Sequence, residues 1–120
     1  MKTLERKVRK VHLTNFHVAG FTYWDGCEAF EYLKIGTELH LVREADNRFD
    51  PYAVAIYYKD YKLGFIPRTN NHDISKFLDM GYSGVFEVRI TRITPNVHPE
   101  QQLEVIVYLR NNMLEKRQVL

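Results

Sequence analysis

Cysteine is almost missing from this chain, with Cys27 alone among 120 residues. A single thiol excludes an internal disulfide, removes any thiolate metal cluster, and fits a reducing, cytoplasmic setting. Long apolar runs are missing too. Nothing approaches the ~18–20 continuous apolar residues of a membrane span, and the basic stretch Met1–Val8 has no apolar segment of the kind a secretory signal needs. There is no nucleophile elbow, no phosphate-cradling glycine loop and no kinase signature. The histidines His12, His17, His40, His72 and His98 are scattered, and His12 and His17, five apart in a strand, are expected to face opposite sides and to form no pair. These absences point away from catalysis, away from a metal and away from any cofactor.

Excess charge of one sign is small, a formal net of +2, but it is unevenly placed. Residues 1–10 carry five basic side chains and one acidic, whereas residues 25–50 carry seven acidic and three basic. Residues 110–120 return to three basic and one acidic. Both ends are basic around an acidic middle. A nucleic-acid partner would have to be held by a few cations gathered by the fold. Aromatics are plentiful: eight Tyr, seven Phe and one Trp. They suit strands and stacking surfaces alike.

The length fits one domain over residues 1–120, with its core about 10–109. Residues 7–18 predict a long strand, bulged near Thr14-Asn15. Gly20 and Gly26 bracket Phe21, Tyr23 and Trp24, which cannot all face one core, so at least one must be exposed. Residues 28–33 predict a short helix ended by Gly36. Residues 37–43 alternate as a strand, 53–58 as the next, 59–62 as a hairpin turn and 63–67 as a strand stopped by Pro67. A helix starts near Asn70 or Asn71 as cap, sets Ile74, Phe77 and Leu78 on one face, and closes at Gly81. Residues 84–93 predict a strand with Phe86, Val88 and Ile90 inward and Glu87, Arg89 and Thr91 outward. Residues 102–110 predict the last strand, and 111–120 a frayed or weakly helical tail. About six strands, two short helices and no βαβ repeat predict a mainly β fold, a small, partly closed antiparallel barrel.

The turn after Leu41-Val42-Arg43 packs Asp46, Asn47, Asp50 and Pro51 around one large ring, Phe49. Such a ring either folds back into the core or is held out to touch a ligand. Tyr23, in the glycine-bracketed loop, is a second candidate platform, and Arg68, just past Pro67, a candidate phosphate contact. Stacking on such rings is worth about 1–3 kcal/mol per base. Asp50 would repel phosphate; it either caps a turn N–H or accepts from a terminal sugar hydroxyl.

Four blocks in order carry a resemblance: Val18-Ala19-Gly20; Leu39-His40-Leu41-Val42-Arg43-Glu44; Asn47-Arg48-Phe49-Asp50-Pro51-Tyr52-Ala53-Val54-Ala55-Ile56; and Leu63-Gly64-Phe65-Ile66-Pro67. Together they resemble the HIRAN domain across about residues 10–109. The resemblance implies an OB-like β-barrel with two short helices that binds single-stranded DNA at a free 3′-hydroxyl end, as in members joined to fork-remodelling ATPases. It implies that Tyr23 and Phe49 hold the terminal base, Asp50 meets the hydroxyl, Asn47 helps fix the end and Arg68 contacts phosphate. Its implied partners are single-stranded DNA ends and proteins of DNA repair or replication. Departures are Thr22 in place of a basic residue, Phe49 for a tyrosine, Ala45 for a proline and Phe65 for a histidine. Loss of the cation at Thr22 implies weaker phosphate contact. The alternative is a protein-interaction barrel that keeps the fold and has lost or weakened DNA binding.

Overall fold

The computed structural model describes residues 9–111; the predicted C-terminal tail lies outside them from residue 112 on. Six strands form one antiparallel sheet: β1 (Lys10–His17), β2 (Glu38–Arg43), β3 (Val54–Tyr58), β4 (Tyr61–Phe65), β5 (Phe86–Ile93) and β6 (Leu103–Arg110). Their order is β1-β6-β5-β2-β3-β4. Two short helices, α1 (Gly26–Ala29) and α2 (His72–Asp79), complete the fold. The sheet curls around a core that includes Phe16, Val18, Leu39, Ile56, Leu63, Val88, Val105 and Val107. It is a loose barrel, because no ladder joins β1 to β4. The two edges meet at one bridge, where Ala19 and Phe65 exchange both backbone hydrogen bonds at 2.9 Å.

That bridge depends on Gly64. Its φ is +149°, and a Cβ there would sit 2.4 Å from the Ala19 carbonyl oxygen. Only glycine admits so close a backbone approach.

Several local expectations shift. The β1 bulge falls between His12 and Thr14. It changes the phase of the alternation, so Leu13 packs on the core, and so do Phe16 and Val18 three and five residues later, while Val11 is left exposed. It also puts His12 and His17 on one face, since their partners Tyr108 and Glu104 are four apart. The predicted helix over 28–33 is split into α1 and a 3₁₀ turn, Phe30–Tyr32. The hairpin turn is only Lys59-Asp60, with Lys59 at φ 52°; Tyr61 and Lys62 already pair in β4. Glu87, expected outward in water, is buried, because Lys10, Arg89 and Arg110 close over it.

α2 ends as expected. Gly81, at φ 85°, lets its own N–H reach the Leu78 carbonyl and the Tyr82 N–H reach that of Phe77. The Phe77 and Tyr82 rings then lie 6.4 Å apart across the turn. Asn71 holds the N-cap position of α2 as expected, but the capping bond is missing. Neither Asn70 nor Asn71 caps it with a side chain. Asn70 donates to Thr14 and Asn71 to Asp50. Among the described residues no helix is long and apolar enough to cross a membrane.

Candidate nucleic-acid interface

A groove of about 570 Å³ opens beside the Ala19–Phe65 bridge. Tyr23, Asn47, Phe49, Asp50 and Arg68 all line it.

One wall is the turn Gly20–Trp24. Gly20 takes a left-handed φ of 73°, and the Tyr23 N–H closes the turn on the Gly20 carbonyl. Phe21 plugs the core under Gly26, where a Cβ would lie 2.5 Å from the Phe21 ring. With Phe21 committed inward, Tyr23 is thrown outward and is 81% exposed.

The other wall is the turn Glu44–Asp50, wound around Asn47. The Asn47 side-chain oxygen accepts from the Phe49 N–H at 2.8 Å and the Asp50 N–H at 3.0 Å, and its amide donates to Glu44 at 3.2 Å. An Asn side chain used in this way stands in for a turn of backbone. It lifts Phe49 out of the core, 81% exposed. Of the two fates open to Phe49, the ring is held out. Asn47 therefore acts on the turn itself, positioning the residues that face the groove.

Asp50 is doubly held. Oδ1 accepts from the Tyr52 N–H at 2.9 Å, and Oδ2 from the Asn71 amide at 2.8 Å. Arg68 stands 3.8 Å from Oδ2 and also donates to the Phe49 carbonyl. Arg68 thus braces the turn while its side chain stays 70% exposed.

The support behind the groove's Trp24, Phe65 and Glu44 was not legible in the sequence. Lys62 lies 3.7 Å from the Trp24 ring centroid and 4.6 Å from that of Phe65, and 2.6 Å from Glu44 Oε2. Trp24 meets Phe65 edge-on at 5.8 Å. A cation between two ring faces and a carboxylate is well satisfied, and it fixes the Trp24 loop to the Glu44 turn. Glu44 and Asp50 balance Lys62 and Arg68, and Lys62 is only 13% exposed. Arg68 is the one cation that lines the groove. Two flat rings, a carboxylate and an exposed guanidinium can stack a planar group, accept from a hydroxyl and meet one phosphate. Among the described residues no three His, Cys, Asp or Glu side chains are placed to hold a metal.

The family model of the HIRAN domain matches residues 11–110. The chain belongs to the HIRAN domain family. That family is known as a nucleic-acid-binding module, so the HIRAN assignment and the chemistry of the groove agree. A crystal structure of a protein from Lactobacillus plantarum is similar in fold, with a TM-score of 0.73 and 24% identity over 88% of this chain and 100% of that one. No curated protein matches the chain.

Proposed function

We propose that this HIRAN domain is a non-catalytic module, cytoplasmic in setting and one domain over residues 1–120, that receives the free 3′-hydroxyl end of single-stranded DNA. The observation that carries the reading is the pair of rings, Tyr23 and Phe49, both four-fifths exposed over one groove that also contains Asp50. The terminal base stacks on the rings. Each carboxylate oxygen of Asp50 already accepts one bond and keeps a second lone pair, which suits a terminal hydroxyl and repels a terminal phosphate. Arg68 meets the last internucleotide phosphate. Protein partners would belong to DNA repair or replication.

Fluorescence anisotropy with one short single strand, ended by a 3′-hydroxyl or a 3′-phosphate, tests this. The hydroxyl end is expected to bind more tightly. Equal affinity removes the role given to Asp50.

A second reading, a protein-interaction barrel, is favoured by the balanced charge of the groove and by Thr22, which puts no cation beside Tyr23. It predicts a protein partner that survives nuclease treatment and moderate salt, with no measurable oligonucleotide binding.

A further inference from the structure

The described basic residues nearest the two ends, Arg9, Lys10 and Arg110, do not line that groove. The sheet brings them together elsewhere. Lys10 opens β1 and Arg110 closes β6, and the two are register partners. Arg9, Lys10 and Arg110 line a shallow groove of about 280 Å³ with Val11, Leu109 and Asn111 and no acidic residue.

Beneath it lies Glu87. Its side chain is 9% exposed and takes Lys10 at 3.1 Å, Arg89 at 3.1 Å and Arg110 at 3.7 Å. Three cations surround one carboxylate, and two of them hold its pKa below the ordinary value, Lys10 first and then Arg89. Glu38 reaches Arg89 from β2 at 3.8 Å, so positive charge still exceeds negative before Arg9 is counted. The cations also remain in water: the Lys10, Arg89 and Arg110 side chains are 45%, 37% and 30% exposed. Glu87 therefore props the cations at fixed places and neutralises only part of their charge.

We propose that Arg9, Lys10, Arg89 and Arg110 form a second contact, for the phosphate backbone of a nucleic-acid strand and indifferent to its sequence and its ends. A lone phosphate calls for donors that converge on one point. Here the cations are spread across the ends of β1 and β6 and onto β5, which suits a repeating anion. The flanking sequence has the same sign on both sides, three basic to one acidic over residues 1–8 and two to one over 111–120. The two sites are separate. Glu38, at one end of β2, meets Arg89, whereas Glu44, just past the other end, lines the end-binding groove. Six residues of strand put about 20 Å between them.

The probe is a covalently closed single-stranded DNA circle, which has no end to offer the first groove. Binding by the full chain is measured against salt. Wild type is expected to bind the circle, with the log–log salt slope falling by about 0.7 for each phosphate contact removed. Arg9→Gln should lower the slope without touching the Glu87 cluster, and Lys10→Gln with Arg110→Gln should lower it further. Phe49→Ala should leave it unchanged. Thermal melts of each variant separate lost binding from lost folding. A circle that does not bind at 50 mM salt, or one held equally by wild type and Arg9→Gln, overturns the proposal. So does retention by anionic phospholipid vesicles without retention of the circle. Loss of 3′-hydroxyl discrimination alone would sink the end-binding reading and leave this one standing.

Discussion

Two groups of aromatic rings lie on this small barrel, and they are treated in opposite ways. At one end, Tyr61 stacks on Tyr32 at 6.3 Å and on Tyr58 at 6.4 Å. Elsewhere Phe21 meets Phe30 edge-on, and Phe77 meets Phe86 edge-on. In the groove, Tyr23 and Phe49 have no ring partner among the described residues, although each is more exposed than any of those stacked rings. Ring pairs of the first kind stabilise the chain that carries them, by about 0.5–1.5 kcal/mol beyond their buried area. Rings of the second kind leave that energy unspent until something flat arrives. The sequence contains both kinds without distinguishing them; the backbone around each ring decides. Tyr23 is outside because Phe21 is inside. Phe49 is outside because Asn47 ties up the turn's N–H groups.

The comparison can be tested by breaking it, and the largest effect is expected at the support shared by the groove walls. Gly64→Ala forces a Cβ against the Ala19 carbonyl and should cost about 3 kcal/mol of stability, read as a lowered urea midpoint, with oligonucleotide binding lost alongside. Retention of both stability and binding would mean that the bridge does not hold the groove.

Next come the rings themselves. Tyr23→Ala and Phe49→Ala should each weaken binding of a single strand with a free 3′-hydroxyl end by about 1–3 kcal/mol with little change in thermal midpoint. Tyr61→Ala should do the reverse, lowering the midpoint with binding unchanged. If Phe49→Ala unfolds the domain instead, the distinction between the two groups of rings fails.

A smaller effect is expected at the Lys62 support. Lys62→Met keeps the length of the side chain but removes the charge between Trp24, Phe65 and Glu44. Affinity should fall severalfold while the preference for a 3′-hydroxyl over a 3′-phosphate persists, since Asp50 is untouched. Abolition of that preference would show that Lys62 reads the end directly.

Acid gives the smallest and most general change. The carboxyl of Glu87 is held below its ordinary value of 4.5, first by Lys10 and then by Arg89. Its contribution to stability is complete above that value and is lost as pH falls through the lower pKa of the folded state. Denaturant melts of wild type and Glu87→Gln should therefore be separate at pH 7 and converge only once the pH has fallen through the lowered pKa, below the ordinary 4.5. A constant gap between them would contradict the sign of the shift.

The strands were legible because alternation is a local signal: β5 and β6 bury Phe86, Val88, Ile90, Leu103, Val105 and Val107 as their patterns predict. Phe49, Asp50, Tyr23 and Arg68 were legible as separate candidates in their turns and loops, but only the family resemblance joined them into one site and added Asn47. Phe49 in a polar turn is odd on its own, but nothing in its neighbourhood names Tyr23 as its counterpart. What stayed hidden was non-local. Lys62 reads as a hairpin lysine until Trp24 and Phe65 converge on it. Asn71 reads as a helix cap until Asp50, 21 residues earlier, takes its amide. Glu87 reads as an outward strand residue until β1 and β6 bring Lys10 and Arg110 over it. In each case a partner distant in sequence competed with the local rule and won.

The segment Gly64–Arg68 has one more consequence. Its Phe65 carries the Gly20–Trp24 wall through the Ala19 bridge, and its Arg68 carries the Glu44–Asp50 wall through the Phe49 carbonyl. Both jaws are thus referenced to one five-residue gauge block, and the gap between them is set there rather than by the long path of chain that joins them. An insertion in the exposed turn at residues 34–35 would leave the aperture unaltered, whereas a single residue added between Gly64 and Arg68 would throw it out of gauge. The domain can change length at such an outlying turn and still present the same opening.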